Sequence, residues 1–252
     1  MKTIRFSLCI LVLLGAAALS QAADYELPPG AQVIEVQPVQ SSQHPHRALM
    51  LWMQSPLKVP RDNPDDLYTC PEYTRGSHYS GPTRVSLVDP QTKTVINTLK
   101  ILDFEGNDTL DIPYRIESGR YYHVAGVPKG KEGKPTIMWL QDYNGDGRAG
   151  EFALFDAVAC MGLPTTLIGY SEARDRVIQY PVTLTVISGK QPSTRTALWV
   201  DYLFSQRPVS PGVWKYAIDY RGRAGTLDTY EIRYLPAEEK FSGQLISTAD
   251  DS

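Results

Sequence analysis

The sequence predicts a mainly β fold, an antiparallel β-sandwich or a propeller-like arrangement of sheets with one short helix. Three observations carry that expectation. Apolar residues recur at every second position over short runs, turn-forming residues bound those runs, and a 252-residue chain that is 42% hydrophobic and 10% aromatic can bury a substantial core. Val33–Val36 and Ala48–Met53 read as the first strands. The stretch from Ser55 to Pro82, rich in Pro, Asp and Tyr, has no period and reads as a long loop. Arg84–Val88 and Thr94–Ile101 flank Asp89–Lys93, a hairpin whose Pro90 presets the turn. Tyr121–Val124 and Pro135–Leu140 are further strand candidates.

The clearest alternation places Ile178, Tyr180, Val182, Leu184 and Val186 on one face and Gln179, Thr183 and Thr185 on the other. Pro181 inside that run marks it as a sheet edge. The last hairpin sets Trp214, Tyr216, Ile218 and Tyr220 against Tyr230, Ile232 and Tyr234 across Arg221–Gly225, with the aromatics forming a core face. Gly150–Cys160 departs from the pattern. It is Ala-rich, spaces Phe152, Phe155 and Ala159 at helical intervals, and precedes the stop signals Gly162 and Pro164, so it is the expected short helix, with a strand as the alternative. Arg84–Asp89 and Arg176–Tyr180 share a basic start and an apolar alternation, too slight a repeat to count blades.

Residues 1–22 have the layout of a secretory signal peptide: Lys2 and Arg5, an apolar run from Phe6 to Leu19, and a small-x-small site at Ser20-Gln21-Ala22. The apolar run is shorter than the ~20 residues a membrane span requires, so no span is expected after cleavage. Cys9 lies too early to be a lipidated cysteine. The expected product is one β-rich domain, residues 23–252, exported to the periplasm or the medium, where Cys70 and Cys160 are left as an even pair suited to one disulfide. Cleavage removes two of 25 basic residues and none of 28 acidic ones, leaving 23 against 28, a net charge of −5. Basic residues are scattered among acids, which disfavours nucleic acid as a partner.

The most specific motif is Asp142-Tyr-Asn144-Gly-Asp146-Gly147, followed by Glu151. Oxygen-bearing side chains at alternate positions around two glycines suit a hard cation with six to eight oxygen ligands. The motif resembles extracellular Asp-x-Asn-x-Asp-Gly calcium loops such as those of dockerins and of the FG-GAP repeats in integrin-type propellers, over about ten residues, and more distantly an EF-hand loop. The resemblance implies Ca²⁺ held by Asp142, Asn144 and Asp146, with the Arg148 carbonyl at the seventh position. Ala153 stands where an EF-hand has its bidentate Glu, so Glu151, or else Asp156 or a distant carboxylate, must close the site. The competing reading is a tight hairpin, since Asn144-Gly145 and Asp146-Gly147 are strong turn dipeptides.

No Gly-x-Ser-x-Gly, His-Glu-x-x-His or phosphate loop is present. His44-Pro-His46 offers two imidazoles without a third ligand, only His78 and His123 being left, and reads as a solvated N-terminal segment. The expected function is therefore a structural or binding role at the cell envelope or outside the cell, toward an unidentified protein or glycan. A carbohydrate-active enzyme or glycan-binding module is the alternative, with Tyr121, Tyr122 and Trp139 as stacking platforms and carboxylates drawn from Asp103, Glu105, Asp108 and Asp111, a cluster that otherwise reads as a solvated loop. A metal-free envelope scaffold is the third reading.

Overall fold

The computed structural model describes residues 25–59, 78–103, 105–112, 137–155, 162–189, 191–221 and 225–249. Fifteen strands in three sheets make up almost all of its regular structure, and no helix of seven or more residues occurs among the described residues. Residues 1–22, Cys70, Cys160 and Tyr121–Val124 lie outside the described residues.

The first sheet has six strands: β1 (Ala31–Pro38), β2 (Ala48–Gln54), β3 (Leu57–Val59), β4 (His78–Asp89), β5 (Thr94–Lys100) and β6 (Thr109–Ile112). The long β4 is its spine. Its second half pairs with β2 and β5, and its first half, up to Pro82, pairs with β3 and β6. The expected loop at 55–82 is thus strand at both ends.

The second sheet holds β7 (Glu151–Phe155), β8 (Pro164–Ser171), β9 (Arg176–Gln179) and β12 (Val200–Asp201). The third has the order β11 (Gln191–Ala197), β10 (Val182–Ser188), β15 (Lys240–Ala249), β14 (Thr226–Leu235), β13 (Val213–Asp219), with β10 parallel to β15.

The second sheet is the middle layer. Along β7, Phe152 and Leu154 enter a core shared with Leu49, Leu51, Val85 and Leu87 of the first sheet, while Ala153 and Phe155 enter a core shared with Trp214, Ile232 and Phe241 of the third. Along β8, Ile168 joins the former and Leu167 the latter. Every residue of β7 and β8 is buried, as expected of strands covered on both faces. This corrects the helix expected at 150–160: residues 151–155 are strand, and Phe152 and Phe155 face opposite layers. A third cluster, Tyr25, Val33, Ala48, Met50, Trp52 and Val88, covers the other face of the first sheet, where the Trp52 indole donates to Ser86 Oγ at 2.9 Å.

Two local devices join the layers. The Asn97 amide of β5 takes the place of a neighbouring strand, donating to the Val177 carbonyl at 3.1 Å and accepting from the Val177 N–H at 2.9 Å. Pro181 ends the alternating run as part of the middle sheet and lets it resume as β10 in the third, its carbonyl accepting from the Phe241 N–H at 2.9 Å. The expected edge is found on one side of Pro181 only: among the described residues β9 pairs with β8 alone, whereas β10 is paired on both sides. The alternation itself holds, with Tyr180, Val182 and Leu184 buried in one core and Ile178 and Val186 packed against it. The last hairpin also has the expected core face, Trp214 opposite Ile232 and Tyr216 opposite Tyr230. Residues 137–140, expected as a strand, are irregular.

Truncating Phe152, which is 0% exposed between the first two layers, leaves a cavity that neighbours from two sheets cannot both fill. Phe152→Ala is expected to cost about 3–5 kcal/mol, read as a lower urea midpoint at unchanged slope.

Candidate metal centre

The Asp142 loop enters the middle layer directly. Gln141 and Glu151 exchange both backbone hydrogen bonds, at 2.7 and 3.1 Å, and close residues 142–150 into one loop. It is therefore not a two-residue hairpin turn with long flanking strands. Gly145 and Gly147 have φ of 80° and 86°, where a β-carbon is disfavoured. A β-carbon on Gly145 would also stand 2.6 Å from the Pro211 main chain, and one on Gly212 would stand 2.6 Å from the Asn144 carbonyl. The loop and the turn before β13 thus dock backbone against backbone. Tyr143 anchors this contact, packing edge-on to Phe204 with ring centroids 5.7 Å apart and stacking on Trp214 at 6.5 Å.

The loop oxygens accept main-chain N–H groups. Asp142 takes those of Gly145 (2.7 Å) and Gly147 (2.9 Å), Asn144 Oδ1 that of Asp146 (2.8 Å), and Asp146 Oδ1 that of Arg148 (2.9 Å). Asp142 and Asp146 are exposed, and Asn144 is half-buried.

Glu151 lies beneath them, 1% exposed. It accepts the Tyr143 and Asn144 N–H groups at 3.0 and 3.3 Å and the Asn144 side-chain amide at 3.0 Å. Its cross-strand neighbour is Gly169, where a β-carbon would stand 2.6 Å from Glu151 Cγ, so the missing side chain makes room for the carboxylate. Burial pushes the Glu151 carboxyl up to about 8, with the charges of Asp146 and Asp142 adding to the effect and the two N–H donors opposing it.

The structure therefore brings Asp142, Asn144, Asp146 and Glu151 into one loop and its floor, with oxygen donors throughout. Among the described residues no group of three or more His, Cys, Asp or Glu side chains is gathered as a metal site. Asp156, the other candidate to close the loop, lies outside the described residues.

Arg148 turns its guanidinium to Asp146 and to Glu172 in the β8–β9 turn. Sequence reasoning missed Glu172. Its carboxylate also accepts from Ser41 Oγ (2.7 Å) and from the N–H groups of Ser42 (2.9 Å) and Gln43 (3.3 Å). In the same turn Asp175 receives a two-pronged contact from Arg47, at 2.9 and 2.7 Å, with His44 3.9 Å away. The histidine segment is thus fastened to the β8–β9 turn. The other acidic cluster is a braced turn: Asp103 accepts the Glu105 and Asn107 N–H groups, and Asp108 pairs with Arg84 at 2.7 Å and Lys100 at 3.4 Å. Asp111 belongs to β6, opposite Ser80.

Comparison with protein-family models, with curated proteins and with solved structures gave no match.

Folding lowers Glu172 from 4.5 to about 2, first through the Ser41 hydroxyl, with Arg148 and the Gln43 and Ser42 N–H groups adding. The charged form is the one the fold favours, so the stabilisation is complete above the ordinary carboxylate range and is lost as pH falls through about 2. Urea unfolding of wild type and Glu172→Gln is expected to show a stability gap that is constant near neutrality and narrows steadily as acid is added.

Proposed function

We propose that the protein is an exported, disulfide-bonded β-rich binding or structural protein whose Asp142 loop holds Ca²⁺ as a brace. The observation that carries this reading is the closed loop in which Asp142, Asn144 and Asp146 present side-chain oxygens in alternation above the buried Glu151 carboxylate. Asp142, Asn144, Asp146 and the Arg148 carbonyl would bind the ion, and Glu151, already tied to the Asn144 amide, would complete or support the set. Hard oxygen donors of net negative charge suit Ca²⁺ better than a thiolate-seeking or imidazole-seeking metal.

Bracing is the role that fits the location. The loop carries Tyr143 into the core of the third sheet and sits against the Pro211–Gly212 turn, so an ion that fixed its backbone would fix the junction of two layers. Working outside the cytoplasm, such a site meets enough calcium to stay filled without high affinity. The Cys70–Cys160 disulfide belongs to the same proposal, and the partner is a protein or glycan at the envelope or beyond it.

A glycan-binding or carbohydrate-active reading is favoured by one observation, the 41% exposure of Trp139 three residues before Asp142. Tyr121 and Tyr122 lie outside the described residues. Retention of polysaccharides on the immobilised protein, lost in Trp139→Ala, is the outcome that would promote it.

Thermal melting of the mature protein in calcium and in chelator tests the main reading. At about one hundred times the dissociation constant, native-state binding adds ~2.7 kcal/mol, a rise of several degrees. Asp142→Ala and Asp146→Ala are expected to abolish the rise. Identical melting with calcium and chelator would remove the ion from this account.

A further inference from the structure

The outer face of the third sheet, turned away from the middle layer, carries a depression of about 360 Å³, within the size range of small-ligand sites. Its floor lies where β14 meets β15 at Ile232 and Gly243, which are opposite each other in register. A β-carbon on Gly243 would stand 2.7 Å from Ile232 Cα, so any side chain there would force the strands apart. Two cross-strand rows border the floor. Val213, Arg233 and Ser242 make one row, and Glu231, Gln244 and Thr185 make the other. All six are exposed or half-buried, whereas Trp214, Ile232 and Phe241, one residue away on the same strands, face the core.

The two charged groups of the depression are not equally engaged. Glu231 is held from the neighbouring strand by Lys215 Nζ at 3.0 Å. Arg233, two residues along the same face, makes no ion pair or side-chain hydrogen bond among the described residues, and the same holds for the polar groups of Ser242, Gln244 and Thr185. A guanidinium presents a planar fork that matches a carboxylate, and the Ser242 hydroxyl directly across from it adds a further donor. Gln244, Thr185 and Glu231 supply acceptors, and the first two also donors, for hydroxyl groups, while Val213 offers an apolar contact. Glu231 also limits the charge of the occupant, because a carboxylate at the rim repels a dianion more than a monoanion. One carboxylate and several hydroxyls on a compact ring answer all of these groups.

We propose that this depression binds a hexuronate, its carboxylate on Arg233 and Ser242 and its hydroxyls on Gln244, Thr185 and Glu231. The chemistry is shared by a free sugar acid and by a residue of an acidic polysaccharide. The proposal rests on the reading above only in taking a glycan as the partner, and none of its residues belongs to the Asp142 loop.

Calorimetric titration of the mature protein with galacturonate, trigalacturonate, neutral galactose and inorganic phosphate tests it, in chelator so that no calcium bridges the carboxylates. Both uronates are expected to bind, and galactose and phosphate are not. A trimer that binds more tightly than the monomer identifies a polysaccharide as the source, and equal affinities identify the free sugar acid. Arg233→Gln is expected to weaken binding about 10-fold, the lower part of the range for a hydrogen bond to a charged group, because the depression is open to solvent. Arg233→Lys keeps the charge without the fork and is expected to fall between the two. Arg233 is exposed, so these variants keep the fold. Absence of uronate binding, equal binding of galactose or phosphate, or affinity unchanged in Arg233→Gln overturns the proposal. Affinity lost in Trp139→Ala but kept in Arg233→Gln also overturns it and moves the glycan site to Trp139. The calcium brace is read separately, from melting that Arg233→Gln leaves unchanged.

Discussion

Everything in this molecule depends on burying one small sheet on both faces. The strands Glu151–Phe155 and Pro164–Ser171 have no solvent side, so each residue must suit one of two cores. Burial of a large apolar side chain is worth about 1.5–3 kcal/mol, set against the conformational entropy lost on ordering the chain. The first and third sheets draw that stabilisation from opposite sides of the same strands. Neither outer layer has a complete core without the middle one, which couples them through the strands they share.

The doubly covered sheet also explains where the sequence misleads. Strands covered on one side announce themselves by alternation, and the aromatic hairpin from Trp214 to Tyr234 is legible that way, whereas Ala48–Met53, also buried on both faces, is legible only as a short apolar run. Glu151-Phe-Ala-Leu-Phe155 is apolar on both sides, so period two vanishes and the spacing of Phe152 and Phe155 imitates a helix. Pro181 misleads for a related reason. A proline suggests an edge, and β9 before it is one, but here the proline also marks the passage from one layer to the next, where β10 is paired on both sides.

The loop at 142–151 was legible as a motif because its donors are close in the sequence. Its setting was not. The Pro211–Gly212 turn touches it through backbone atoms, which leave no side-chain signature, and Gly169 contributes only by lacking a β-carbon. Glu172 was equally hidden. Its partners Ser41, Ser42, Gln43 and Arg148 come from two distant segments, and only the folded β8–β9 turn gathers them. That turn holds the first sheet through Glu172 and Asp175. It holds the turn between β14 and β15 through Ser171 and Arg174, both bonded to Glu239.

These polar ties and the middle sheet answer different problems. Apolar burial fixes that three layers stack but is indifferent to small shifts between them, because hydrophobic contact is non-directional. Charged hydrogen bonds have directions, and those of Glu172, Asp175 and Glu239 radiate from one turn to both outer layers. The same turn reaches the Asp142 loop through Arg148, so the loop is pinned at three places: Gln141–Glu151 at its neck, Tyr143 in the core, and Arg148 at its far side. A nine-residue loop held at three points has lost most of its conformational freedom before any ligand arrives. A ligand binding there would have little ordering entropy left to overcome, so even modest contacts to Asp142 and Asp146 would convert into affinity.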